Sequence, residues 1–151
     1  FLIDCWSHIK KNSETSKLLI NPPYELSDQD KINDIHLRIK GNKQDLINDL
    51  MNSRVMLNPG HKGEVFCLAA EEARELCVPI VTMGYGALYE RVEHKKTGFI
   101  AKNKDEFIKY SSDILNNDDL FLELKKNLIL KRKSRTYKDV ANDFLKLIYE
   151  S

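Results

Sequence analysis

The chain has 151 residues, of which 42% are apolar and 31% charged, and its formal net charge at pH 7 is +1. This composition predicts a soluble globular domain with a substantial core, and the near-neutral charge gives no reason to expect nucleic acid as a partner. No apolar run reaches the roughly eighteen residues that a membrane-spanning helix needs. The three cysteines show no spacing typical of disulfide bonds or metal sites, which favours a reducing, cytoplasmic setting.

Short apolar runs alternate with longer helical patterns along most of the chain. The first pattern is a helix in which Leu2, Ile3, Trp6 and Ile9 share one face. The next patterns predict, in order, strands at 17–21 and 36–41, a helix at 45–52, a strand at 54–60, a helix from about Cys67 to Leu76, a strand at 78–84, a short helix at Leu88–Val92 and a strand at 98–101. Beyond Lys104 the pattern is helical throughout, ending with the stretch 137–150.

This alternation predicts an α/β fold with a mostly parallel sheet, helices on both faces and a helical C-terminus. Ligands bind such sheets outside the carboxyl ends of the strands, where residues 58–63 and 84–86 are expected to lie. The sequence shows neither an internal repeat nor an interdomain linker, so residues 1–151 are expected to form one domain. Because Phe1 begins within an amphipathic pattern, we expect that this domain is truncated at its N-terminus.

The stretch GEVFCLAAEEAREL (63–76) carries four glutamates beside an apolar helical run. On a helical wheel the positions expected to face the core are Ala69, Ala73, Leu76 and Cys77. Glu71 and Glu75 are then expected to be solvated, Glu72 to be half enclosed at the flank, and Glu64 to lie in the loop before the helix. Free N–H groups at a helix N-terminus attract anions, so two flanking carboxylates suit a nucleoside diphosphate sugar. From the residues alone, ordinary surface charges remain the alternative.

The segment from Glu64 to Glu72, continuing into Ala73, resembles the E-x7-E signature of retaining glycosyltransferases of family 4 with the GT-B fold. The resemblance continues through Pro59, Val78-Pro-Ile-Val81, Gly84-Tyr-Gly86, Glu90-Arg-Val92, Thr97-Gly-Phe-Ile-Ala101 and Asp105-Glu106. It covers most of the chain and is clearest from Arg54 to Ser112. It implies a Rossmann-like donor-binding domain, the C-terminal half of a GT-B fold, without the N-terminal acceptor-binding domain.

The resemblance also implies roles for individual positions. Glu64 would be catalytic, accepting hydrogen bonds from donor-sugar hydroxyls beside the reacting centre, and Glu72 would bind the ribose. Lys40 and Gly41 would lie along the nucleobase. The donor-binding positions implied are Glu64, Val65, Phe66, Cys67, Leu68, Glu72, Lys40 and Gly41. Relatives have small residues on both sides of Phe66, so Val65 and Cys67 are departures, and the β-branched Val65 would narrow the approach to the backbone.

The reaction implied is transfer of a hexosyl group, with retention, from a nucleoside diphosphate sugar to an acceptor hydroxyl of a glycan or glycolipid. No cofactor and no metal are expected. The family's phosphate-binding Arg and Lys would precede Phe1, and the acceptor site would belong to the absent domain. The isolated chain is therefore expected to bind donor weakly and to be inactive in transfer. Two alternatives remain: a sugar-nucleotide epimerase with the same fold, and a non-catalytic module that binds a sugar nucleotide or a protein.

Other side chains have both a functional and an ordinary interpretation. His61 and Lys62 are close to the expected pyrophosphate position, or are simply solvated loop residues. Cys67 is either a reactive thiol or a small packing residue, and packing is favoured because no partner for a cysteine nucleophile is evident. A basic cluster lies between the last helices, where it forms either a contact with anionic lipid at the inner membrane face or a solvated junction. Its residues are Lys125, Lys126 and the run from Lys131 to Arg135.

Overall fold

The computed structural model describes residues 1–21, 23–38 and 41–132, together with residues 138, 141, 142 and 145. Its strands are β1 (Leu18–Ile20), β2 (Ile35–Leu37), β3 (Met56–Leu57), β4 (Ile80–Thr82) and β5 (Gly98–Ile100). Its helices are α1 (Leu2–Asn12), α2 (Asp28–Ile32), α3 (Lys43–Met51), α4 (Leu68–Glu75), α5 (Leu88–Arg91), α6 (Lys104–Asn116) and α7 (Asp118–Lys131). None of these helices is long and apolar enough to cross a lipid bilayer.

The elements follow the predicted order, with shorter strands and one additional helix, α2. A reciprocal capping box begins α2: the Ser27 side chain accepts a hydrogen bond from the Asp30 backbone N–H, and the Asp30 side chain accepts one from the Ser27 N–H. In the last predicted helix, residues 138, 141, 142 and 145 are helical, and the rest of the stretch 137–150 lies outside the described residues. Lys40, at the end of the second predicted strand, also lies outside them.

The strands are parallel, as predicted, but they form two sheets rather than one. β1 pairs with β2, and β4 lies between β3 and β5. Within the described residues β1 and β3 are not hydrogen-bonded to each other, and both line a cavity of about 500 Å³ that separates the two sheets. The predicted Rossmann-like α/β architecture is therefore confirmed, with a gap between its two groups of strands.

Adjacent residues of the three-stranded sheet enter two different hydrophobic clusters. In β4, Val81 packs with α1, α6 and α7, whereas Ile80 packs with α4 and α5. In β5, Phe99 and Ile100 divide between the same two clusters. Because successive side chains of a strand point to opposite faces, this division shows that helices cover both faces of the sheet.

The larger cluster is built around two fully buried aromatic residues, Trp6 of α1 and Phe107 of α6. The Trp6 indole Nε1–H donates to the Asn33 carbonyl oxygen at 2.8 Å, which ties α1 to the chain just before β2. Burying this N–H against an acceptor avoids the cost of an unpaired polar group. The core therefore fixes α1 and β2 behind the sheet and leaves the carboxyl ends of β3 and β4 free to carry loops.

Candidate functional site

The loops after β3 and β4 meet at the carboxyl ends of these strands, where a ligand site is expected. The Glu64 carbonyl oxygen accepts a hydrogen bond from the Ala87 N–H at 2.8 Å. Gly86, at φ +57°, passes so close that a Cβ there would lie 2.3 Å from this oxygen. Only a residue without a side chain fits this approach, because a Cβ would clash with the oxygen and φ is positive. The backbone of Glu64 is thus fixed by the neighbouring loop.

The Glu64 carboxylate lies at the start of α4 and is partly exposed. Its Oε1 accepts a hydrogen bond from the Cys67 N–H at 3.1 Å, and its Oε2 lies 3.7 Å from His61 Nε2. His61 Nδ1 accepts from the Gly63 N–H at 3.1 Å, so in the neutral ring the proton is on Nε2, facing Glu64. With 28% of its side chain exposed, Glu64 remains accessible to a ligand from one side.

Cys67 is the N-cap of α4 and has a left-handed backbone, with φ 55° and ψ 73°. It makes no capping hydrogen bond with its own side chain; the cap is supplied by Glu64. The thiol is buried, and its Sγ accepts a hydrogen bond from Asn58 Nδ2 at 3.3 Å. This left-handed conformation is one that glycine adopts without the cost that a Cβ adds. The side chain itself has the packing environment that the sequence favoured.

Arg91 of α5 reaches across to the same loop. Its Nε–H donates to the Phe66 carbonyl oxygen at 3.2 Å, and its guanidinium carbon lies 4.3 Å from the centre of the Phe66 ring. Its Nη1 is 3.6 Å from Glu71 Oε2. In the sequence, Arg91 was recognised only as part of the motif Glu90-Arg-Val92, and no role was predicted for it. The hydrogen bond between Arg91 and Phe66 joins residues 25 positions apart along the chain, and neither helical nor strand periodicity predicts a contact at that separation.

The exposure expected for the three α4 glutamates was wrong. Glu71 is half-buried, Glu75 is also only partly exposed, and Glu72 is exposed. Between Leu68 and Cys77 the buried residues are Ala70, Ala73 and Cys77, whereas Ala69, which was expected in the core, is exposed. At about 100° per residue, replacing Ala69 by Ala70 in the buried set turns the buried face by about half that angle, away from Glu72.

Glu71 and Glu75 belong to a network of ion pairs rather than to free solvent. Arg74 contacts both carboxylates, donating from Nε to Glu71 Oε2 at 3.1 Å and from Nη2 to Glu75 Oε1 at 3.3 Å. Arg132, directly after α7, lies 3.5 Å from Glu75 Oε2. Together with the Glu71–Arg91 pair, these contacts connect α4 to α5 and to the end of α7.

The remaining donor-binding candidates are distributed around this centre. Val65 is 90% exposed, and Leu68 at the first position of α4 is also exposed, so neither residue is packed in the core. Gly41 lines an open cavity of about 430 Å³, together with Leu19, Leu37, Arg38, Asp45 and Asp49. Lys40 lies outside the described residues. Glu72 forms no ion pair with any described residue, which leaves its carboxylate available.

The described part of the basic cluster is largely paired or packed. Lys131 forms an ion pair with Glu93, and Arg132 lies beside Glu75 as given above. Lys125 Nζ lies 5.6 Å from the centre of the Phe121 ring. Residues 133–135, the rest of the cluster for which a lipid contact was expected, lie outside the described part of the chain.

Among the described residues, no group of three or more His, Cys, Asp or Glu side chains is arranged to hold a metal ion. The family model described as "Glycosyl transferases group 1" matches residues 3–135, which is most of the chain and includes the whole of the site. No protein of curated function matches the chain. Given the extent of the family match, the chain belongs to the group 1 glycosyl transferases.

Proposed function

We propose that this domain binds a nucleoside diphosphate sugar across the start of α4 and that the sugar is transferred, with retention, to an acceptor hydroxyl. The observation that carries the proposal is the pairing of the Glu64 carboxylate with the N-terminal end of α4, at the carboxyl ends of β3 and β4. Family membership supplies the general reaction, glycosyl transfer. The arrangement adds one acceptor for sugar hydroxyls beside a group of N–H donors.

The start of α4 has backbone donors suited to sugar or phosphate oxygens. Within the described part of the chain, the N–H groups of Phe66 and Leu68 make no hydrogen bond to protein. Val65, at 90% exposure, leaves the approach to this backbone open even though its side chain is branched. The partial positive charge at a helix N-terminus adds to the attraction for an anion. These features support placing the donor's sugar and phosphate here.

In the proposed reaction the bond between the sugar's anomeric carbon and the phosphate oxygen breaks, and the acceptor oxygen bonds to that carbon on the same face. The nucleoside diphosphate leaves and its freed phosphate oxygen takes up the proton of the acceptor hydroxyl, while positive charge develops on the sugar ring in the transition state. Glu64 would hold sugar hydroxyls beside this centre, while the N–H groups stabilise charge on the departing diphosphate. Catalysis would therefore come from positioning and charge stabilisation, with a hexosyl group as the transferred sugar.

The rest of the donor would extend from this centre. The exposed carboxylate of Glu72 would accept hydrogen bonds from the ribose hydroxyls, and the cavity beside Gly41 would hold the nucleobase. No metal or cofactor takes part in this proposal. The acceptor would be a glycan or glycolipid, and the enzyme would act in the cytoplasm or at the inner face of a membrane.

Calorimetric titration of the full-length protein with UDP-glucose, GDP-mannose and ADP-glucose tests donor binding. We expect one of these to bind and Glu72→Ala to weaken it by about tenfold or more, because a charged acceptor for two hydroxyls is removed. Glu75→Ala is the matched control, since it removes the same charge from the same helix at a position that faces Arg74 and Arg132. Binding that is unchanged in Glu72→Ala would contradict the ribose role, and no binding at all would contradict the function.

A further inference from the structure

The peptide unit between Phe66 and Cys67 is held by side chains at both of its polar ends. Its carbonyl oxygen accepts from Arg91 Nε–H at 3.2 Å, and its N–H donates to Glu64 Oε1 at 3.1 Å. In a trans peptide the C=O and N–H bonds point in opposite directions, so the two side chains hold the unit from opposite sides. Rotation of this peptide would break both hydrogen bonds together.

The Arg91 guanidinium is itself fixed by two further contacts. It stacks on the Phe66 ring, with Cζ 4.3 Å from the ring centre, and it pairs with Glu71 at 3.6 Å. Only 20% of the Arg91 side chain is exposed. A planar guanidinium can stack and donate a directed hydrogen bond at the same time, which a lysine ammonium cannot do.

The orientation of this peptide decides what the loop presents to a ligand. In the observed orientation the Phe66 carbonyl faces α5, and the Cys67 N–H faces Glu64. In the opposite orientation a carbonyl oxygen would replace the N–H beside the Glu64 carboxylate. Two oxygen acceptors side by side would repel each other and any phosphate oxygen nearby. The left-handed backbone of Cys67 depends on the same orientation. A flip of this peptide would change ψ of Phe66 and φ of Cys67, which is now 55°.

We propose that Arg91 is a positioning residue of the donor site. It keeps the Phe66 carbonyl turned away from the sugar nucleotide and so keeps the Glu64 carboxylate and the start of α4 in the arrangement that binds the sugar. Arg91 itself does not contact the donor. The proposal rests on the proposed function, because it assigns Arg91 to the sugar end of that same site.

Arg74 provides a matched control for this role. It pairs with the same Glu71 carboxylate, but no hydrogen bond or stacking contact between Arg74 and Phe66 is present in the described part of the chain. Arg91→Met and Arg74→Met therefore remove the same charge from the same network, and only the first removes the contact with the loop. Arg91→Lys keeps the charge opposite Glu71 and loses the planar group, so it separates the loop contact from the ion pair.

The test has two measurements on the same four proteins. The first is hydrogen exchange of the Cys67 amide, which needs no ligand. The second is the calorimetric affinity for the sugar nucleotide that the unmodified protein binds, compared with the affinity for its nucleoside diphosphate alone. We expect Arg91→Met and Arg91→Lys to speed Cys67 exchange by about tenfold and to weaken sugar-nucleotide binding by about tenfold, because a small misplacement of contacting groups is costly.

Affinity for the nucleoside diphosphate should fall by less than affinity for the sugar nucleotide, because the diphosphate keeps its ribose and base contacts and has no sugar to be held beside Glu64. Arg74→Met should leave both measurements as they are in the unmodified protein. Arg91→Met could also lower the melting temperature more than Arg74→Met does. In that case the result for Arg91→Lys, which keeps the charge opposite Glu71, decides whether the loop contact is responsible for the loss of binding. Sugar-nucleotide binding that persists unchanged in both Arg91 variants would overturn the role of Arg91 alone. A protein that binds no sugar nucleotide would overturn the proposed function itself.

Discussion

Cys67 has a backbone conformation that is unfavourable for a residue with a side chain. Its φ of 55° lies in the left-handed region, where a Cβ costs roughly 1–2 kcal/mol. We expect Cys67→Gly to be more stable than Cys67→Ala by about 1 kcal/mol, because both lose the thiol and only glycine relieves the backbone. Chemical denaturation of the two variants measures the difference.

The control for this comparison is a helical position with an ordinary backbone. Ala70 is fully buried in α4, and Ala70→Gly should lower the free energy of unfolding by about 1 kcal/mol. Glycine should thus be favoured over alanine at one position and disfavoured three positions later. If Cys67→Ala is as stable as Cys67→Gly, the left-handed conformation does not carry the cost assigned to it.

At the level of single residues, sequence reasoning located the loop but not all of its contacts. Glu64 was expected just before the helix, and it lies there because apolar helical spacing begins after it. Glu72 was misplaced because two alternative alanine faces differ by one position and the sequence does not separate them. Arg91 was missed because its contact joins two elements that are distant along the chain, where no periodic pattern exists.

Helix α2 shows how a short element depends on its cap. Three donors converge on Asp30 Oδ2: the Ser27 hydroxyl at 2.7 Å, the Ser27 N–H at 2.9 Å and the Tyr24 hydroxyl at 3.0 Å. The Ser27 hydroxyl, then its backbone N–H and the Tyr24 hydroxyl, hold the pKa of the Asp30 carboxyl below its ordinary value of 3.8. A depressed pKa means that the folded state favours the charged form of this group.

The stability that Asp30 contributes should therefore depend on acidity. It is present above the ordinary pKa of 3.8 and is lost as the pH falls through the lower pKa of the folded state. We expect Asp30→Asn to be less stable than the unmodified protein at about pH 7, and we expect this difference to narrow below about pH 4. Denaturation at several pH values measures it.

Asp28→Asn is the control, because Asp28 is on the same helix, is exposed and pairs only with exposed Lys31 among the described residues. The free energy of unfolding of Asp28→Asn should be close to that of the unmodified protein at every pH, because most surface pairs contribute little. A difference in unfolding free energy between Asp30→Asn and the unmodified protein that stays constant with pH would contradict the stabilising role of the charged Asp30 carboxylate. The Ser-x-x-Asp spacing of this cap is a sequence signal for α2, but five residues carry too little periodicity to predict a helix by themselves.

For the whole molecule, the alternation of strands and helices predicted a parallel, two-faced sheet, and the structure confirms it. The separation of β1–β2 from β3–β5 could not be predicted, because the order in which strands pair is not written in their local patterns. The cavity of about 500 Å³ between β1 and β3 also leaves β1 with less support at that edge.

Hydrogen exchange should therefore differ between the two sheets. We expect the β1–β2 amides of Leu18 and Arg38 to exchange faster, by about tenfold or more, than the amides of Asn58 and Ala101, which bond to β4. The reason is that β4 is bonded on both sides and covered on both faces, whereas β1 borders the cavity. Equal protection at all four amides would mean that the molecule opens as one unit.

The contacts from Arg132 to the Phe66–Cys67 peptide form one continuous series of charged groups. Arg132 lies beside Glu75, Arg74 links Glu75 to Glu71, and Arg91 links Glu71 to the Phe66 carbonyl. The Arg–Glu contacts of 3.3 to 3.6 Å in this series are well inside the distance of about 8 Å over which dissolved ions screen charges at physiological ionic strength. Ordinary changes of buffer should therefore leave the loop that carries Glu64 in place, because the series reaches this loop only through the short hydrogen bond from Arg91 to the Phe66 carbonyl oxygen.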